Sequence, residues 1–228
     1  MAGTSQYHPI MTDDDSTALP DGLTLSADGK ARCFWQAGSP EYETYHDREW
    51  GRPVAGDTAL YEKLCLEGFQ AGLSWITVLR KRDAFRELFE GFDVERVAAF
   101  TPADVDRIVQ DPRIIRHRGK IEATISNARA VIRLRHDEGR SLAAFLWAFE
   151  PPASDRPSVM TLGWLRSNAV TPASKAMSTA LRKRGFNFVG PTTCYAFMQS
   201  MGFVNDHIEG CTCRAICEEE RSAFSRPR

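Results

Sequence analysis

Asp57 to Gly91 reads DTALYEKLCLEGFQAGLSWITVLRKRDAFRELFEG, two helical patterns in succession. Asp57 is an N-cap residue type, and Leu60, Leu64 and Leu66 build an apolar face behind it. Ser74 opens the second helix, where Ile76, Leu79, Phe85, Leu88 and Phe89 recur at helical spacing until Gly91 stops it. The same grammar extends outward. Thr101-Pro102-Ala103-Asp104 supplies a cap, a proline at the first helical position and an acid in the first turn. Gly119 to about Arg135 carries Ile121, Ile125, Ala128 and Ile132 on one side. Thr171-Pro172 starts a helix that Gly185 ends, and Thr192 to Met201 gives one more. Pro151, Pro152 and Pro157 mark a long loop. No stretch alternates convincingly and no hairpin signal stands out, so the fold class read here is all-α.

The 228 residues suffice for one large or two small domains and a sizeable core. Net charge is -1, but residues 1–30 hold Asp13, Asp14, Asp15, Asp21 and Asp28 against Lys30, a net of -4, which leaves +3 for the remainder. That mildly basic body permits nucleic-acid binding without demanding it. Residues 1–30 are poor in large apolar groups and are expected to be a disordered acidic extension. A single helical domain is expected over 31–217, with a flexible charged tail over 218–228. No stretch of about 18 apolar residues exists to span a membrane, and no basic start followed by an apolar run marks a secretory signal. Six cysteines in a reducing compartment point to metal or core roles. Cys65 and Cys194 fall in apolar helical stretches and read as core.

Two segments at opposite ends each hold a cysteine and a histidine: Cys33 and His46 in a C-x12-H spacing, His207 and Cys211 in an H-x3-C spacing. Two thiolates and two imidazoles make a closed tetrahedral zinc shell, with no position left for substrate. The competing reading is four unrelated residues, since neither half has the C-x2-C of a common finger. Cys213 and Cys217 stand close enough to compete as ligands.

Between those ends, Glu67 closes an apolar helix just before Gly68 and Gly72, and Trp75 begins the next. A carboxylate and an indole flanking a tight turn can face one cavity, where the ring stacks on a flat ligand and the acid accepts from amino groups. The plain alternative is a solvated helix-end glutamate and a core tryptophan. Tyr42, Tyr45 and Trp50 surround His46; they read either as packing beside a ligand or as lining of the same cavity. Arg113, Arg116, His117, Arg118 and Lys120 flank Gly119 at a helix start, which suits a phosphate or is a solvated charge run. Arg182-Lys183-Arg184 reads as an ordinary charged helix end. There is no phosphate-cradling GxxxxGK, no GxGxxG, no HExxH and no serine nucleophile elbow.

Taken in order, CFW, EYETYHDREWG, CLEGFQAGLSWITVLRKR, IIRHRGKI, LRKRGFNFVGPTTCYAFMQSMG and VNDHIEGC resemble the 3-methyladenine DNA glycosylase I family over roughly Ala31 to Cys213. The resemblance implies a helix-hairpin-helix glycosylase fold with one structural Zn2+ on Cys33, His46, His207 and Cys211 joining the termini. It implies Glu67 as the base-recognising, catalytic glutamate, Trp75 as the stacking indole, and Tyr42, Tyr45 and Trp50 as pocket aromatics. IIRHRGKI matches the DNA-binding hairpin, which places Arg116, Arg118, Gly119 and Lys120 on the DNA backbone. The implied activity is monofunctional release of 3-methyladenine from alkylated double-stranded DNA by base flipping, with no lysine poised as a nucleophile. A monomer in the bacterial cytosol is the implied setting. Phe69 departs from the family pattern, where a polar residue is expected, and is read as altering one edge of the pocket. Two rivals accompany this reading: a non-catalytic zinc-stapled nucleic-acid-binding module, and a zinc hydrolase, which the closed ligand shell disfavours.

Overall fold

The computed structural model describes residues 19–228. The chain opens on two short antiparallel strands, β1 (Leu23–Leu25) and β2 (Ala31–Cys33), with Leu23 opposite Cys33. Helices follow: α1 (Pro40–Arg48), α2 (Asp57–Gln70), α3 (Trp75–Leu79), α4 (Arg82–Leu88), α5 (Val94–Ala98), α6 (Pro102–Val109) and α7 (Arg118–Glu138). Then come α8 (Leu142–Trp147), α9 (Leu162–Ser167), α10 (Pro172–Lys183), α11 (Pro191–Ser200) and α12 (Thr212–Ala223). The architecture is mostly helical, and no helix among the described residues is long and apolar enough to cross a membrane.

The small sheet corrects the expectation of disorder as far as residue 30. Asp28-Gly29 is a hairpin turn signal that the sequence reading passed over, and Gly29 takes the positive φ of +76°. Leu23 buries its side chain, the Phe34 N–H donates to the Gly22 carbonyl, and Asp28 receives two hydrogen bonds from Arg32. The expectation for residues 1–18 lies outside the described residues. The tail is likewise docked rather than frayed from residue 218. α12 runs to Ala223, Phe224 packs on Trp147 at 4.7 Å, and Arg221 and Arg226 both reach Glu150 at about 3 Å. Glu220, Arg221 and Arg226 are all paired with charges of the body, which holds the tail down.

Thr101 and Asp104 form the expected capping box of α6, and Thr171 caps α10. The second helix of the opening stretch is broken into α3 and α4, with Gly91 at φ +65° inside the short 3-10 turn that follows. Asp57 differs in role. Gly56 is the cap of α2, and the Asp57 carboxylate accepts from the Leu142 and Ala143 amides at 3.1 and 2.8 Å, satisfying the start of α8 instead. The main core forms where α2 meets α7, α8 and α11, around Leu60, Leu64, Phe69, Ile121, Val131, Phe197 and Met198. Each such fully buried side chain contributes about 2 kcal/mol of transfer free energy. A separate small cluster unites Leu23, Cys33, Leu162, Ile208, Cys211 and Cys213, bringing both chain ends together.

Candidate active site and metal centre

α2 ends inside the molecule. Its last turn carries Glu67, only 5 % exposed, and Gln70, and the turn to α3 is made by Gly72 at φ +86°, a conformation other residues resist. Gly68 lets the helix approach Phe188: an added Cβ would meet the Phe188 Cβ at 3.2 Å. The orphan carbonyls at this helix end are held by Lys120, whose ammonium donates to Phe69 and Ala71 at 2.9 and 2.8 Å. Trp75 then opens α3 just past this turn.

The two residues open onto one cavity of about 350 Å3. Tyr42 and Tyr45 from α1, and Trp50 just after it, complete the aromatic wall expected from the sequence. All five predicted pocket residues converge there. Trp35 joins them and was missed, although it sits in the CFW segment; its ring lies 5.0 Å from Tyr42, 5.0 Å from Trp50 and 5.1 Å from His46. Leu162, Leu165 and Arg166 of α9 and Gln199 of α11 close the far side. Gln199 is fixed by Asp206, a fully buried carboxylate that accepts from it at 2.8 Å and from the Tyr195 hydroxyl at 2.6 Å. Glutamine and aspartate this far from the opening stretch give no periodic signal, so spacing could not find them.

Phe69 does not shape the pocket. It is buried against Phe85, with ring centroids 4.5 Å apart, and belongs to the core face of α2. Its side chain leaves the helix on the side away from the cavity, so its polarity does not reach the ligand space.

A buried lysine lies behind the wall. Lys63, one helical turn before Glu67, places its ammonium 2.9 Å from Glu67 Oε1, donates to the Tyr45 hydroxyl at 2.7 Å, and sits 3.2 Å from the Trp75 ring centroid. Burial pushes its pKa down to about 8 against the opposing pull of Glu67. Burial, followed by the charge of Glu67, pushes the Tyr42 phenol up to about 12.

The basic junction before α7 divides. Lys120 is buried and committed to the two carbonyls, so it presents no charge to solvent, contrary to the expectation of a phosphate contact. Arg118 pairs with Asp106, and Arg113 with Glu87 and Asp111. The His117 ring caps α7 by accepting from the Lys120 amide. Arg116 is exposed, and no acidic partner faces it among the described residues.

At the chain-end cluster, Cys33, His46, His207 and Cys211 bring one donor atom each to within 4.8 Å of one another, all four buried. Cys211 Sγ lies 3.5 Å from His46 Nε2 and 3.4 Å from His207 Nδ1, and Cys33 Sγ lies 3.8 Å from His207 Nδ1. A tetrahedral Zn2+ with bonds of about 2.3 Å to sulfur and 2.0 Å to nitrogen sets S···N at about 3.5 Å, so the donors fit such an ion. The outer ring nitrogens are both engaged: His46 Nδ1 with Asp47 at 2.8 Å, and His207 Nε2 with the Trp50 carbonyl at 3.2 Å. Each imidazole thus turns its free lone pair inward. Hydrogen bonds from Cys213 and then Cys33 hold the Cys211 thiol far down, as a thiolate. Cys213 itself faces Asp47 and the outer nitrogen of His46, and Cys217 faces the Trp50 carbonyl, so neither replaces Cys211 in the four-donor set.

Known proteins share this arrangement of sequence and fold. The methyladenine glycosylase family model matches residues 35–215. DNA-3-methyladenine glycosylase 1 of Escherichia coli K12 is 50% identical over 182 residues, covering 80% of this chain and 96% of that protein. The Haemophilus influenzae DNA-3-methyladenine glycosylase is 48% identical over 184 residues, covering 80% and 97%. Among solved structures, a crystal structure of 3-methyladenine DNA glycosylase I superposes with a TM-score of 0.74 at 50% identity, covering 80% of this chain and 99% of that one. The Staphylococcus aureus enzyme, whose structure addresses 3-methyladenine recognition, gives 0.68 at 34% identity, covering 78% and 93%. Matches that span the aromatic cavity and nearly the whole length of each relative leave one assignment: this chain belongs to the methyladenine glycosylase family.

Proposed function

We propose that this protein releases 3-methyladenine from alkylated double-stranded DNA by hydrolysis of the N-glycosidic bond. The observation that carries the reading is the convergence of Glu67, Trp75, Tyr42, Tyr45 and Trp50 on one cavity of about 350 Å3, roomy enough for a purine and with an aromatic wall. N3-alkylation places a positive charge on the base. The bond to the sugar is already weak, the base departs neutral, and water adds to the sugar carbon. The protein's task is to extrude the nucleotide, which costs a few kcal/mol and less for a damaged base, and to recognise the lesion. Trp75 stacks on the extruded ring. Glu67 accepts from its amino edge and faces its positive charge in a pocket where water screens little. Lys63 lies behind Trp75 and Tyr45 rather than in the cavity, which supports a monofunctional enzyme without a Schiff-base step.

Arg116, with Arg118 and the Gly119 backbone at the start of α7, is the proposed contact to the DNA backbone; Lys120 serves it only by bracing the α2–α3 turn. A helix-hairpin-helix glycosylase fold and a monomer fit the helical body. One structural Zn2+ held by Cys33, His46, His207 and Cys211 would fasten β2 and α1 to the segment before α12, supplying cohesion and no chemistry at the base. The test is release of free 3-methyladenine from methylated duplex DNA by purified protein with no metal added. Tight duplex binding without release would return the non-catalytic module.

A further inference from the structure

A second cavity of about 240 Å3 adjoins the base pocket, and Tyr45 and Trp75 line both. Lys63 lines only the second, so its ammonium and a stacked base would occupy opposite faces of one indole. An ammonium at that position is a puzzle in a site built for a cationic lesion. It cancels much of the attraction Glu67 offers, and like charges across one ring repel in a region that water barely screens.

We propose that Lys63 is a positioning residue that balances Glu67 while the pocket is empty and gives up its proton to solvent when a cationic base stacks on Trp75. The inference rests on the base-binding reading of that pocket. In the empty state the ion pair keeps Glu67 from being a buried unpaired charge, and the ammonium, bound to the Tyr45 hydroxyl and seated on Trp75, fixes both aromatic walls. When the base enters, its positive charge becomes the counter-ion of Glu67. One N–H bond of the ammonium then breaks, the proton leaves to buffer through the second cavity, and the neutral amine keeps its hydrogen-bonding site at Tyr45.

The surroundings favour Lys63 as the proton source. Its charge is already poorly held, with a pKa near 8 before any ligand enters. Facing it are Glu67 on its own helix, Tyr45 on α1, Glu49 just beyond α1 and Arg82 at the start of α4. Glu49 is occupied by Arg82, and the other acid of the second cavity, Glu62, by Arg86 at 2.8 Å. Arg52 pairs with Glu220. Arginine does not release its proton in this pH range, and the Tyr45 phenol is pushed far above it by burial.

Calorimetric titration at pH 7–9 separates the possibilities. The probes are 3,9-dimethyladeninium, a permanent cation, and neutral 3-methyladenine, each in two buffers of different ionisation enthalpy. Binding of the cation should release about half a proton or more per site at pH 7.5, and its Kd should tighten by up to about tenfold between pH 7 and 9 and then level. The neutral base should release none and bind independently of pH. Lys63→Met should abolish both release and slope. Lys63→Arg keeps a buried cation and covers the case in which the methionine variant does not fold; it should bind the cation weakly and without pH dependence while retaining the neutral base. A pH-flat Kd for the cation in the unaltered protein, or proton release that persists in Lys63→Met, overturns the proposal. Excision from methylated DNA is measured alongside. Its absence strikes the glycosylase reading, whereas intact excision with a flat Kd strikes Lys63 alone.

Discussion

His46 and Asp47, neighbours in sequence, are also bonded to each other: Nδ1 of the imidazole meets the carboxylate at 2.8 Å, which turns Nε2 toward Cys211. The carboxylate is itself anchored. Against the cost of its partial burial, hydrogen bonds from Arg32 and then His46 hold Asp47 down to about 2. It therefore stays ionised at neutral pH and fixes the tautomer the metal site needs. Purified protein should contain about one zinc per chain by atomic emission. Asp47→Asn should weaken metal retention by about 10–100-fold in chelator competition. Cys211→Ala should lose the metal together with thermal stability, while Cys213→Ser should keep it. Metal loss in the serine variant would move the ligand assignment.

Arg116 and Lys120 should separate cleanly. Arg116→Gln should weaken binding to all duplex sequences alike and lower the salt slope by about one unit. Lys120→Met should leave that slope unchanged. Its cost falls on folding, because two helix-end carbonyls lose their donor, by about 1–3 kcal/mol in urea unfolding. A reduced slope in Lys120→Met would put its ammonium on phosphate after all.

Glu67→Gln should bind duplex DNA normally and lose most excision. Glutamine keeps the size, removes the charge and presents donors where acceptors are needed. Trp75→Ala should lose about 1–3 kcal/mol of base affinity through lost stacking. Excision from methylated DNA and titration of free base followed by tryptophan fluorescence read both. Undiminished excision by Glu67→Gln would make the pocket a device of shape and stacking alone.

Phe69→Ala should cost about 3–5 kcal/mol of stability, as expected for an aromatic lost from a packed core, and leave free-base affinity of the folded protein unchanged. A shift in base affinity without a shift in stability would place the ring back at the pocket edge.

The helices α2, α7, α10 and α11 were legible because each packs apolar residues at helical spacing against the same core, α2 on nearly every side. Their proline and threonine starts were legible too, since a cap is a local device. What stayed hidden is what depends on distant partners. Asp57 reads as a cap of its own helix, yet its carboxylate serves α8, eighty-five residues downstream. Leu23-Thr24-Leu25 is too short for alternation to register, and becomes a strand only because Ala31–Cys33 lies beside it. Lys63 looks like a solvated residue in a helix that is buried all round at its C-terminal end; only the fold reveals Trp75 above it. The aromatic and acidic residues of the pocket could be found, but through the ordered motifs of a family rather than through spacing, which left each with an ordinary structural reading.

The joining of Cys33 to His207 spans 174 residues of chain. Closing so long a loop is entropically unfavourable until everything between has condensed. During synthesis the segment that carries Trp35, Tyr42 and Tyr45 must therefore wait, its cysteine and histidine unpartnered, until residues 207–211 have emerged. Gln199 and the His207–Cys211 segment arrive late, so the base pocket is among the last parts of the molecule to form. A chain stopped before residue 199 would lack Gln199, His207 and Cys211, and with them one wall of the pocket and half of the four-donor set.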